Sequence, residues 1–293
     1  MELSGCGTAL VTPFRGDGAV DEAALVRLVE WQVESGIDYL VPCGTTGEAA
    51  TMSEAEHLRV AEIVVATVAG RVPVFAGCTH NATSEAVARA KRLAKIAGLT
   101  GLLTANPYYN RPGQEGQYRH FRAIAEAVEL PILLYNIPSR TGVNLEPATT
   151  RRLAEIANII GIKESSGNLA QITELIVNAP RGFSVLCGDD SMALPVIALG
   201  GAGLISVASN VIPAEMTRMV RAAIAGDWTT ANEINAKYLG LMQAHFCEPS
   251  PAPVKTVLAL LGKCDDVLRL PMVPVTAASR ERLQTLVREL GLV

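Results

Sequence analysis

The sequence predicts a parallel eight-stranded α/β barrel, a (β/α)8 TIM barrel, with a C-terminal three-helix extension. Three observations predict it. Eight short, almost wholly apolar segments recur along the chain, amphipathic helical stretches separate them, and beyond residue 225 helical patterns follow one another with no strand between. Strands that are apolar throughout, instead of alternating, are buried on both faces, as in a parallel sheet covered by helices. An open doubly wound sheet could use the same elements, but no G-x-G-x-x-G follows the first strand, where a dinucleotide fold carries it. With 293 residues the chain accommodates a barrel of about 250 residues or less. The expected division is a catalytic barrel over 1–225 and a helical region over 226–293.

The strands are expected at 7–11, 39–41, 72–76, 101–103, 132–135, 159–162, 184–186 and 204–207. Each is followed by a loop rich in Gly, Ser, Thr, Asn or Pro and then by a helical pattern. Residues 21–35, 54–69, 84–97 and 114–128 are the clearest helices, and Ser53 three residues before Glu56 matches a capping box. Residues 191–214 carry no charge, which invites a membrane reading. Pro195, Gly200, Gly201, Gly203, Asn210 and Pro213 interrupt the stretch, so a buried helix followed by a buried strand suits it better. The tail reads as helices over 226–246, 253–261 and 276–290, too apolar for a disordered extension, packing on the barrel or on another subunit.

Composition narrows the function. A net charge of −4 without a basic block argues against nucleic acid or an anionic membrane as partner, and 4% aromatic residues leave little for base stacking. The six cysteines are scattered with no C-x-x-C pair, and the four histidines form no H-E-x-x-H, so no disulfide framework, zinc site or catalytic transition metal is expected. Residues 1–5 lack the pattern of a signal peptide, and a cytoplasmic protein is expected.

Barrel chemistry belongs at the C-terminal ends of the strands. Lys163 closes the apolar run Ile159-Ile160-Gly161-Ile162, in a chain with six lysines against nineteen arginines. A buried amine is costly as a permanent cation, which favours the neutral nucleophile that attacks the carbonyl of an oxo-acid. The other reading is a lysine that snorkels to solvent. Gly44-Thr45-Thr46-Gly47-Glu48 offers two hydroxyls and a row of backbone N–H groups, either a small-anion cradle or a flexible turn. Tyr108 and Tyr109 end the fourth strand and Tyr135 the fifth, as proton relays or interface aromatics. Arg140 is a candidate clamp for a carboxylate or a solvated surface residue. Asp189 and Asp190 could suggest a cation site, but Asp190-Ser191 reads as a helix cap.

Gly44-Thr45-Thr46-Gly47-Glu48, Pro107-Tyr108-Tyr109-Asn110-Arg111-Pro112, Tyr135-Asn136-Ile137-Pro138-Ser139-Arg140-Thr141-Gly142 and Gly161-Ile162-Lys163-Glu164, in that order, carry a resemblance. The sequence resembles the dihydrodipicolinate synthase family, within the N-acetylneuraminate lyase superfamily of pyruvate-dependent aldolases, over essentially its whole length. The resemblance implies that Lys163 forms an imine with pyruvate and that Tyr135 exchanges protons above it. It implies that Thr45 links Tyr135 to Tyr109 of a neighbouring subunit, that Thr46 holds the pyruvate carboxylate, and that Gly188 and Ile205 line the pocket. Arg140 would hold the carboxylate of L-aspartate semialdehyde. Homotetramers built as dimers of dimers are implied, with no organic cofactor. A lysine feedback site at the dimer interface would use Ala49, Glu54, His57, Asn81, Glu85 and Tyr108, with Ala49 and Glu54 departing from the usual Ser and His. Cys78 and His80 have no role in this reading beyond a structural one. Two competitors remain: a related aldolase acting on a sugar-acid aldehyde, and a catalytically silent carboxylate-binding paralogue.

Overall fold

The computed structural model describes residues 2–293. Eight strands, β1 (Gly5–Ala9), β2 (Tyr39–Val41), β3 (Phe75–Gly77), β4 (Gly101–Ala105), β5 (Ile132–Asn136), β6 (Ile159–Glu164), β7 (Ser184–Cys187) and β8 (Gly203–Ser206), pair in parallel in the order 2-1-8-7-6-5-4-3. A parallel bridge between Leu40 and Val74 joins the two ends of that order and closes the barrel. The helices are α1 (Glu22–Glu34), α2 (Glu54–Val68), α3 (Thr83–Leu93), α4 (Gln114–Ala127), α5 (Pro138–Thr141), α6 (Pro147–Leu153), α7 (Leu169–Val177), α8 (Ala193–Ala198), α9 (Pro213–Ile224), α10 (Trp228–Ala244), α11 (Ala252–Leu260) and α12 (Ala277–Glu289).

Every strand residue is buried, because one face meets the barrel interior and the other meets helices. Tyr39, Phe75, Leu103, Leu133, Tyr135, Leu186 and Ile205 fill the inside. Cys6, Leu102, Leu134, Ile162, Val185 and Leu204 belong to the larger core beneath the helices. Tyr39 needs space inside the barrel, and Gly7 supplies it: a Cβ there would overlap the Tyr39 ring.

The first strand starts earlier than the expected 7–11, since Gly5 already pairs with Gly203. A Gly-Cys-Gly run carries no strand signature of its own, and pairing decides it. The third strand is later and shorter than 72–76 because Pro73 has no N–H to give the ladder. Helix α3 ends at Leu93, and residues 95–99 follow as tight turns instead of completing the expected helix to 97. The capping box at α2 is formed, with Ser53 and Glu56 bonded reciprocally. The charge-free stretch resolves into α8 and β8, and among the described residues no helix is long and apolar enough to cross a membrane.

Helix α10 lies along α9, and α12 packs on α10 and α11. Asp227 caps α10 by accepting the N–H of Thr230. The tail thus packs on the barrel of its own chain, and α11 brings a lysine to the catalytic end.

Candidate active site

Backbone register places the two central side chains. Tyr135 on β5 pairs with Lys163 on β6, so both project into the barrel at its C-terminal end. Lys163 is only 5% exposed and Tyr135 6%. The Lys163 Nζ lies 4.4 Å from the centre of the Tyr135 ring, and no carboxylate forms an ion pair with it among the described residues. Strand β6 runs one residue past Lys163, so the lysine lies inside the strand and is held more rigidly than a residue in a loop.

Gly188, just past β7, completes this corner. Its N–H donates to Glu164 O at 2.9 Å. A Cβ at this position would overlap Ser165 Oγ and stand 2.7 Å from Lys163 Cε, so the lysine stem passes where any larger residue would sit. Ile205 is fully buried in the interior layer beside Leu186 and Tyr135. Ser165 Oγ is buried with no hydrogen-bond partner, a polar atom facing the same corner.

The Gly44–Glu48 turn is narrower as an anion cradle than its sequence suggests. Gly47 N and Ala49 N donate to Gly44 O, and Glu48 N donates to Thr45 O, so two of the expected free donors, those of Gly47 and Glu48, are spent within the turn. What remains is the N–H of Gly44, of Thr45 and of Thr46, together with the two hydroxyls. Thr46 is buried and Thr45 is exposed. The Thr45 hydroxyl bonds neither Tyr135 nor Tyr109 within this chain. Tyr109 is 89% exposed with φ 73°, a left-handed conformation that is uncommon for a bulky residue. Arg140, in α5, is exposed, and its Nη2 reaches Ser250 O at 3.5 Å.

Residues 2–290 match the Dihydrodipicolinate synthetase family. The chain belongs to that family. It is 60% identical to a 4-hydroxy-tetrahydrodipicolinate synthase of Acidobacterium capsulatum, over 100% of this chain and 97% of that one. A dihydrodipicolinate synthase from Acinetobacter baumannii, solved in complex with pyruvate, superposes with a TM-score of 0.97 at 42% identity, over 99% of each chain. One from Cyanidioschyzon merolae, solved with lysine bound, gives a TM-score of 0.96 at 40% identity, also over 99% of each.

The positions expected to form an effector site divide into engaged and free residues. Glu54 accepts from Arg89 Nε at 3.0 Å, Arg89 Nη2 at 2.9 Å and Arg92 Nε at 2.9 Å. Burial opposes its ionisation, but these bonds prevail and hold its carboxyl below the usual range. Glu54 is therefore neutralised by its own chain, where an open carboxylate is expected. His57 is buried with Nε2 at 2.7 Å from Gly77 O, and burial lowers its pKa to about 4. Ala49 and Asn81 are half-buried, whereas Glu85 and Tyr108 are exposed. Cys78 is a buried thiol pushed up to about 12 by burial, and His80 Nδ1 accepts the N–H of Ala82.

Several residues near the site carry no signal in their spacing. Asn136 donates to both oxygens of buried Glu164, at 3.2 and 3.0 Å, and to Asn144 Oδ1 at 2.8 Å, while its own Oδ1 accepts from Leu145 N and Asn106 Nδ2. This network locks β5 to β6 directly behind Tyr135 and Lys163. Burial raises the pKa of Glu164, and the bonds from Ser166 and Asn136 oppose that rise. The only hint in the sequence is that each residue immediately follows a candidate catalytic one. Asp189, not Asp190, makes the cap, accepting the N–H of Ser191. Asp190 instead accepts the N–H groups of Val207 at 3.1 Å and Ala208 at 2.9 Å, tying the end of β7 to the end of β8.

Proposed function

We propose that this chain works as a Schiff-base lyase, condensing pyruvate with L-aspartate 4-semialdehyde to 4-hydroxy-tetrahydrodipicolinate in diaminopimelate and lysine biosynthesis. The observation that carries the reading is the Lys163 amine: buried, unpaired with any anion, and lying over the face of Tyr135 at the catalytic end of the barrel.

Lys163 adds to the keto carbon of pyruvate and loss of water gives the imine. Removal of a methyl proton then gives an enamine, whose carbon attacks the aldehyde. The substrate amine displaces Lys163 by transimination and closes the ring. Tyr135 is the proton donor and acceptor beside these steps, because a phenol can pass a proton while remaining mostly neutral. Thr46 holds the pyruvate carboxylate with its hydroxyl and N–H, and the small residue at 188 leaves room for the imine. Ile205 walls the pocket. Arg140 receives the carboxylate of the semialdehyde at the mouth. The imine is itself the electron sink, so the reaction calls for no organic cofactor.

The exposed Tyr109 supports assembly: it completes a neighbour's Thr45 and Tyr135 in a dimer, and two dimers form a homotetramer. The cytoplasm is the proposed compartment. Lysine is proposed as feedback inhibitor at the dimer interface, with Glu85, Tyr108 and Asn81 as the contacts left open, by analogy with the lysine-bound relative.

Borohydride treatment in the presence of pyruvate tests the first step, and turnover coupled to dihydrodipicolinate reductase tests the second. A pyruvate adduct on Lys163 with ordinary turnover supports the reading. An adduct without turnover moves the search to other aldehydes, such as sugar acids, and no adduct revives a silent carboxylate-binding protein.

A further inference from the structure

One buried cation at the catalytic end takes no part in the reaction above. Lys255 on α11 is fully buried, and its Nζ donates to Glu48 Oε1 at 2.6 Å and to Val267 O at 2.6 Å. The other Glu48 oxygen accepts the N–H of Arg269 at 3.2 Å. Lys255 Nζ stands 4.3 Å from the centre of the Phe14 ring, and the Arg269 guanidinium stands 4.3 Å from the same ring. Arg269 continues to Glu56, Thr51 O and Gly18 O. The Glu48 carboxylate is therefore where the turn after β2, helix α11 and the segment at 267–269 meet.

A buried ion pair is a poor device for stability alone, since apolar residues of similar volume commonly stabilise as well or better. Its location suggests what it does instead. Glu48 has φ 55° and Cys43 φ 58°, both left-handed, and they bracket Gly44-Thr45-Thr46-Gly47. Non-glycine residues keep that conformation only where their surroundings hold them there. Glu48 N donates to Thr45 O at 3.1 Å, so restraint on Glu48 passes directly to Thr45. Thr12 Oγ1 fixes the turn from the other side by donating to Gly47 O at 2.7 Å.

We propose that Lys255 is a positioning residue: through Glu48 it sets the Thr45–Thr46 turn in the geometry that receives the pyruvate carboxylate, so that the C-terminal helices shape the catalytic end of the barrel. The proposal rests on the lyase reading above. Lys255→Met alone leaves Glu48 buried and unpaired and is expected to melt early, which by itself would only report a lost partner. The deciding variant is the double replacement Glu48→Gln with Lys255→Met in the full chain, which removes both charges. Its melting temperature is expected to return close to that of the wild type, while KM for pyruvate rises about tenfold or more and borohydride trapping slows, because small misplacements of a binding group cost about that much or more. A double variant with restored melting temperature and wild-type KM would overturn the positioning role alone. Failure of the wild type to trap pyruvate would overturn the lyase reading and the positioning role together.

Discussion

Lys163 and Tyr135 face each other across one rung of the barrel sheet, with the amine 4.4 Å from the centre of the phenol ring. The rung lies at the C-terminal end of a barrel whose strands are buried throughout, and both side chains are buried there. The amine rests on the aromatic face, and removing only the hydroxyl keeps that contact. Tyr135→Phe is therefore expected to fold normally and still trap pyruvate, with kcat reduced by about 10²- to 10⁴-fold, the usual share of a positioned acid–base group. Coupled turnover beside the trapping assay checks this. A kcat within a few-fold of the wild type would remove Tyr135 from proton transfer.

Gly188→Ala tests how closely Lys163 is packed. The added Cβ would stand 2.7 Å from Lys163 Cε and overlap Ser165 Oγ, so the lysine stem must shift. The expected result is a severe loss of pyruvate trapping with a far-ultraviolet circular dichroism spectrum like that of the wild type. Adding Ser165→Gly should recover only part of the activity, because the conflict with Lys163 stays. Full recovery in the double variant would mean that Ser165 alone sets the limit.

Inhibition by lysine should depend on Glu85 and not on Glu54. Arg89 and Arg92 already occupy both Glu54 oxygens, whereas Glu85 is exposed at the start of α3. Titrating lysine into the coupled assay is expected to slow turnover in the wild type, and Glu85→Ala is expected to abolish that response. An unchanged wild-type rate at millimolar lysine would dispose of the effector site.

Acid sensitivity should trace in part to His245. It is fully buried with both ring nitrogens unpartnered, and burial pushes it down to about 3 from an ordinary value of 6.5. Between those values the unfolded chain binds a proton that the folded chain refuses. Its contribution to stability is thus complete above about pH 6.5 and declines as pH falls toward the folded value. His57 and His120, each lowered to about 4 by burial, act in the same direction. Buried Glu164 and Asp190, raised by burial, act in the opposite one. A difference measurement separates them. His245→Leu should gain about 2 kcal/mol on the wild type between pH 7 and pH 5 in urea unfolding. An equal pH dependence in both proteins would refute the assignment.

The number and order of the strands, the positions of most helices and the candidate lysine were all legible in the sequence. Burial on both faces writes a continuous apolar run, and a single charge ending such a run marks itself, as Lys163 does after Ile162. The limits of β1 and β3 were not legible, because a ladder ends where its partner ends or where Pro73 interrupts it. Nor was the partner of any buried polar group. Lys255 meets Glu48 across 207 residues of sequence, Asn136 meets Glu164 across 28, and Arg89 meets Glu54 across 35. Apolar periodicity records only whether a position is buried. Which charge answers which is settled by the path of the chain around the barrel, since a buried ion must find its counterpart wherever closure of the fold brings one.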